Sequence, residues 1–97
     1  MNFTGWYRLD GHTPVPTDRV GEAFGGDRTV ARDEPAPDVL VSTVFLGLDH
    51  GHGHSQEPVL FETMVFGGEL DGEQWRYCTW DEAEAGHRAV VERIKAR

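Results

Sequence analysis

The chain has one cysteine, Cys78, among 97 residues, so no internal disulfide forms and a reducing cytosol is the natural compartment. Positive charge is scarce: one lysine and eight arginines face seventeen acidic side chains, for a formal charge of −8. Such a surface repels phosphate backbones and argues against non-specific nucleic-acid binding. It leaves open a basic patch on another protein as a partner, including mimicry of nucleic acid. Acids spread along the chain with no long run also serve plain solubility. Long apolar stretches are missing as well, and none approaches the ~20 residues that span a bilayer. The opening MNFTGWYRLDGH lacks a basic segment followed by an apolar one, so no secretory signal is expected.

What is present suffices for one domain with a modest core: 38% hydrophobic residues, with most aromatics inside periodic segments. The chain divides into an N-terminal segment (1–37), a core meander (38–78) and a C-terminal helix (79–96). Trp6 to Leu9 leads into Asp10-Gly11, the dipeptide suited to a tight hairpin turn, and His12 to Val15 can pair back. Pro14 and Pro16 restrict that arm to an edge. Thr17 or Asp18 is expected to cap a short helix through Phe24, with Val20, Ala23 and Phe24 on one side and Gly25-Gly26 ending it. Arg28 to Arg32 is a weak strand, and Asp33 to Pro37 a turn.

The stretch from Asp38 to Gly68 organises the rest. Val39–Leu48 and Val59–Phe66 are strand-forming runs joined by a histidine-rich loop. Both alternating sets of the first run are largely apolar, which predicts a central strand covered on both faces. A third strand follows over Glu73–Cys78, with Trp75 and Tyr77 on one face. Thr79-Trp80-Asp81-Glu82 is a capping box. It opens a helix to about Lys95, whose apolar stripe is Trp80, Ala83, His87, Val90, Val91 and Ile94. The class is α+β: an antiparallel β-meander of three to five strands, a C-terminal amphipathic helix on one face and a short N-terminal helix.

Several residues are candidates for chemistry. His50, His52 and His54 alternate with glycines, and a His-x-His pair in extended chain presents two nitrogens to zinc, with Asp49 or Glu57 as an oxygen ligand. The competing reading is a polar hairpin loop. Asp49 can orient His50. Glu62, mid-strand among apolar neighbours, and His87, on the helix stripe, would join His50 in an acid–base set if the helix crosses the sheet there. Otherwise Glu62 pairs with an arginine such as Arg76, and His87 is a hydrogen-bonded core residue. Trp6, Tyr7, Trp75, Tyr77 and Trp80 can stack on a ligand or pack as core. The candidate binding residues are Trp6, Tyr7, Asp49, His50, Trp75 and Tyr77. No nucleophile elbow surrounds Ser42, Ser55 or Cys78, and Gly25-Gly26-Asp27 lacks the context of a phosphate loop.

The strings STVFLGLDH (Ser42–His50), LFETMVFGG (Leu60–Gly68) and RYCTWDEAEAGH (Arg76–His87) resemble a family of small actinobacteriophage and prophage proteins. The opening Trp6-Tyr7, Asp10-Gly11 and Pro14-Val15-Pro16 is also similar to the start of that family. The likeness covers about half to two thirds of the chain and implies a phage or prophage origin. The family has no assigned biochemical function, so the activity stays open. Cys78 stands where the family commonly has Ser or Ala, and His52 and His54 fall in its variable loop, so none of the three would carry a shared function. The expectation is a cytosolic accessory protein that binds a host protein or a small-molecule ligand and self-associates through an open sheet edge. A small metal-dependent hydrolase or metal-binding protein, and an acidic nucleic-acid mimic, are the alternatives.

Overall fold

The computed structural model describes residues 5–51 and 57–96. β1 (Tyr7–Asp10) and β2 (Thr13–Pro16) form a two-stranded antiparallel ribbon. Asp10 pairs with Thr13, so the turn residues are Gly11 and His12, one position later than expected, with Gly11 left-handed at φ 63°. In a ribbon of two strands each has a free side, which is where Pro14 and Pro16 are tolerated. The short helix α1 (Val20–Phe24) follows, with Arg19 at the N-cap and no side-chain cap. Thr17 instead accepts from the Arg19 amide at 3.1 Å and donates to Glu22 at 2.6 Å. Of the expected apolar side only Ala23 is buried, while Val20 and Phe24 are each 46% exposed. The reason is that α1 leans on β1 and on the backbone at Gly47 rather than on the main sheet.

That sheet has four antiparallel strands in chain order: β3 (Thr29–Ala36), β4 (Val39–Phe45), β5 (Phe61–Phe66) and β6 (Gln74–Tyr77). β3 is much longer than the RTVAR strand of the sequence reading and runs through the residues expected to turn. Pro35 excludes helix but not extended chain, and β3 is an edge strand, where a missing amide is tolerated. An irregularity in register between Asp33 and Ala36 takes up the mismatch. The turn falls on Pro37-Asp38, with Asp38 at φ 61°.

α2 (Trp80–Lys95) lies across one face of this sheet. Both halves of its capping box form: the Thr79 hydroxyl accepts from the Glu82 amide at 3.1 Å, and the Glu82 carboxylate accepts from the Thr79 amide at 3.2 Å. Such a cap stabilises a helix by about 1 kcal/mol. The stripe it directs inward buries Ala83, His87, Val90 and Val91, with Trp80 and Ile94 packed at its margins.

The strand over 39–48 is not covered on both faces. Val39, Val41, Thr43 and Phe45 are buried under α2, whereas Leu40, Ser42 and Val44 remain half-exposed. The ribbon is attached beyond the end of β4. The Tyr7 amide donates to the Gly47 carbonyl and the Asp49 amide to the Gly5 carbonyl, each at 2.8 Å, fixing the ribbon to the end of β4. β4 itself ends at Phe45, because the chain turns at Gly47, φ 79°, whose backbone abuts the Ala23 carbonyl too closely for a side chain.

Candidate functional site

Two apolar clusters fill the space between α2 and the sheet. One gathers Val39, Val41, Val65, Leu70, Val90 and Val91; the other gathers Tyr7, Phe45, Leu60, Phe61 and Ala83. Between them each of three elements inserts a polar residue: Thr43 on β4, Thr63 on β5 and His87 on α2, all buried. Thr43 and Thr63 are direct cross-strand partners, and their hydroxyls bond at 2.5 Å. His87 Nδ1 lies 2.7 Å from Thr43 Oγ1, and its Nε2 lies 2.7 Å from Asp33 on β3. At the other end the Tyr77 hydroxyl, on β6, donates to Thr63 at 3.1 Å. A single polar seam therefore crosses all four strands.

The chemistry of the members sets its direction. A carboxylate accepts, so Nε2 of His87 donates to Asp33; in the neutral ring Nδ1 then accepts from Thr43. Thr43, its hydrogen spent, accepts from Thr63, and Thr63 accepts from Tyr77. Each threonine hydroxyl gives once and receives once, and the Tyr77 hydroxyl donates at the end of the chain. The arrangement resembles an Asp–His–hydroxyl triad in its contacts, but Thr43 and Thr63 are fully buried, and no substrate atom reaches either oxygen. Gly86 completes the seam, because a Cβ there would collide with the Tyr77 ring. Of the two readings open for His87 in the sequence, the hydrogen-bonded core residue is the one the structure matches, while Asp33, Thr43 and Thr63 were not foreseen as its partners. The available signal was a threonine midway along the buried set of two successive strands, facing a histidine in a helix stripe.

The other sequence-derived residues lie apart from the seam. Glu62 pairs across β5 and β6 with Arg76 at 2.9 Å and belongs to the uncovered face. His87 is under the covered face, so the sheet separates the two, and among the described residues neither bonds to His50. The postulated convergence of His50, Glu62 and His87 does not occur. Asp49 does not orient His50 either: its carboxylate accepts from the amides of Gly51 at 2.8 Å and Val59 at 2.9 Å, closing the neck of the loop. His50 Nδ1 donates to the Leu48 carbonyl at 2.7 Å, which leaves Nε2 with a lone pair in the neutral ring. His52 and His54 lie outside the described residues.

The aromatic residues do not form a stacking platform. Tyr7 is core, Trp75 and Tyr77 pack against the two clusters, and Trp6 meets Phe24 edge-on at 5.2 Å. Trp80 is T-shaped to Phe61, and His12 stacks on it at 3.8 Å. Burial, then the nearby Asp49 carboxylate, raises the Tyr7 hydroxyl above its ordinary value. Burial likewise raises the Cys78 thiol, followed by the charges of Glu82, Glu57 and Asp49. A thiol held protonated in this way is a poor nucleophile.

The uncovered face is of a different character. Leu40, Val44 and Met64 are half-exposed and Phe66 is 47% exposed, with the Glu62–Arg76 pair beside them. Among the described residues no helix or strand lies over it. No helix of the described chain is long and apolar enough to cross a membrane. No family model, curated protein or solved structure matches the chain.

Proposed function

We propose that this is a non-enzymatic accessory protein of phage or prophage origin, acting in the host cytosol by binding a host protein or a small ligand. The observation that carries the reading is the uncovered sheet face, where Leu40, Val44 and Met64 are only partly buried and Phe66 is 47% exposed. A patch of that kind on a small domain marks a contact surface. The seam supports the same reading from the other side, since its histidine and both threonines are buried beneath α2 and only the Asp33 carboxylate at its end reaches water.

The test is capture of partners from host lysate by the wild-type chain and by Phe66→Ser, with a ligand screen in parallel. The reading expects a retained partner, or a ligand, that is lost when the uncovered face is altered. Capture that is indifferent to Phe66, with no ligand found, removes it.

One observation favours a second reading as a metal-binding protein. A histidine whose Nδ1–H is held by a backbone carbonyl, as His50 is by Leu48, has the tautomer that metal-ligating histidines adopt. Among the described residues no three His, Cys, Asp or Glu side chains group around a common point, so zinc would require His52 or His54. Elemental analysis of the untagged protein decides it: about one metal per chain, lost in His50→Ala, is the expected result.

A further inference from the structure

The uncovered face ends in a groove between the β3–β4 turn and the end of β5. Glu34, Asp38, Val39, Leu40, Phe66 and Gly67 line it, enclosing about 430 Å³. The backbone fixes its shape. Asp38 at φ 61° and Gly67 at φ 92° bring the two chain reversals together, and a Cβ on Gly67 would collide with the Asp38 carbonyl oxygen.

Charge distinguishes this end of the sheet. Residues 33–40 and 66–73 contain six carboxylates, Asp33, Glu34, Asp38, Glu69, Asp71 and Glu73, and no Lys or Arg. Asp33 is held by His87, and Asp71 accepts from the Gly67 amide at 2.7 Å. Among the described residues no hydrogen bond or ion pair engages the carboxylates of Glu34 and Asp38, the two that line the groove. Arg93 and Lys95 flank Ile94 in the last turn of α2, and neither lines it.

We infer that the groove binds a cationic, amphipathic segment of a partner protein in extended form. An apolar side chain seats on Leu40 and Phe66, and a lysine or arginine two residues along, on the same side of an extended chain, seats between Glu34 and Asp38. Apolar burial supplies affinity, while the unengaged carboxylates reject neutral and acidic segments and make association salt-dependent. This inference rests on the binding reading above and specifies the chemistry of its partner.

The experiment is an NMR titration of the full chain with a capped probe peptide, Leu-Ser-Lys-Ser-Leu-Ser-Lys, at low and high salt. A control peptide carries Glu in place of Lys. Amide shifts confined to residues 34–40 and 66–70, weakened by salt and absent with the control, are expected. Glu34→Gln with Asp38→Asn should weaken binding by about tenfold, as should Phe66→Ser. Asn tolerates the left-handed backbone at position 38, so that variant keeps the groove's shape. Asp10→Asn with Glu84→Gln, which removes the same charge from other surfaces, should leave binding unchanged. Shifts elsewhere, or weakening that follows net charge alone, overturn the inference. So does a dimer in sedimentation that Phe66→Ser dissociates, since that assigns the face to a second copy of the chain. If the peptide fails while partner capture still depends on Phe66, the inference falls and the binding reading stands.

Discussion

The two faces of the four-stranded sheet solve opposite problems with the same strands. Under α2, β4 and β5 present Val39, Val41, Phe45, Phe61 and Val65 with a pair of threonines between them, and the buried polar groups of the seam bond to one another. On the other side the same strands present Leu40, Val44, Met64 and Phe66 and, among the described residues, no element completes their burial and no partner engages the carboxylates of Glu34 and Asp38 at the rim. One face is saturated in contacts and, but for the buried Trp80 indole N–H, which has no partner among the described residues, in hydrogen bonds. The other is unsaturated in both. A saturated face gives stability and has nothing left to offer a partner, whereas an unsaturated one contributes little to folding and retains its capacity to bind. Stability and recognition should therefore separate cleanly by face when residues are altered.

The largest effect is expected at the centre of the seam. His87→Ala leaves Thr43 without an acceptor and opens a cavity, and the two together should cost about 3 kcal/mol in denaturant unfolding. Removing the polarity entirely, with Thr43→Val, Thr63→Val and His87→Leu combined, should cost less than that single change. Apolar groups of similar shape leave no buried atom unpaired, and Asp33, 56% exposed, turns to water. A combined variant less stable than His87→Ala would show that the seam does more than fill the gap between the two clusters. Gly86→Ala comes next. Alanine favours helix by about 1 kcal/mol, yet its methyl collides with Tyr77, so net destabilisation of about 1–2 kcal/mol is expected. With Tyr77→Ala already in place the same change should turn stabilising, a coupling that a double-mutant cycle reads directly.

Much of the saturated face is legible in the sequence. The capping box at Thr79–Glu82 and the stripe from Trp80 to Ile94 are local signals, and local signals survive folding unchanged. Asp33 is not legible as a partner of His87, because 54 residues separate them and their meeting depends on the register of β3 on β4. Asp33 was also hidden by Pro35 and Pro37, which mark a turn in most settings and here lie in or just after an edge strand. The unsaturated face is misread for a different reason. Leu40, Val44, Met64 and Phe66 have the composition of a doubly covered strand, and apolar patterning states only that a residue needs cover. It does not say whether the chain itself provides it. The pair Glu62–Arg76, by contrast, was among the alternatives open to sequence reasoning, since opposite charges on neighbouring strands pair readily.

A smaller effect follows from the raised hydroxyl of Tyr7 and the raised thiol of Cys78, both near the end of the sheet where the ribbon is attached. Each native state holds its proton to higher pH than the unfolded chain, whose ordinary values are 10.0 and 9.0. The stability this contributes is complete below pH 9 and is lost as the pH rises through the native values. Thermal unfolding should therefore show a midpoint that falls on the alkaline side, more gently in Tyr7→Phe, and Cys78 should react slowly with thiol reagents at neutral pH. An alkaline decline unchanged in Tyr7→Phe would place its origin elsewhere.

The smallest changes in stability belong to the unsaturated face, and they carry the most weight for function. Glu62→Gln breaks a cross-strand ion pair whose arginine is 46% exposed, and such pairs contribute below about 1 kcal/mol. Phe66→Ser removes a ring that is already 47% in water, so its unfolding free energy should move by only about 0.5 kcal/mol. If Phe66→Ser instead costs several kcal/mol, the ring is structural, the face is not spare, and the contrast between the two sides of the sheet collapses. If stability holds while partner capture is lost, the half-exposed residues are retained for contact with another molecule, since folding alone would tolerate polar residues in their place.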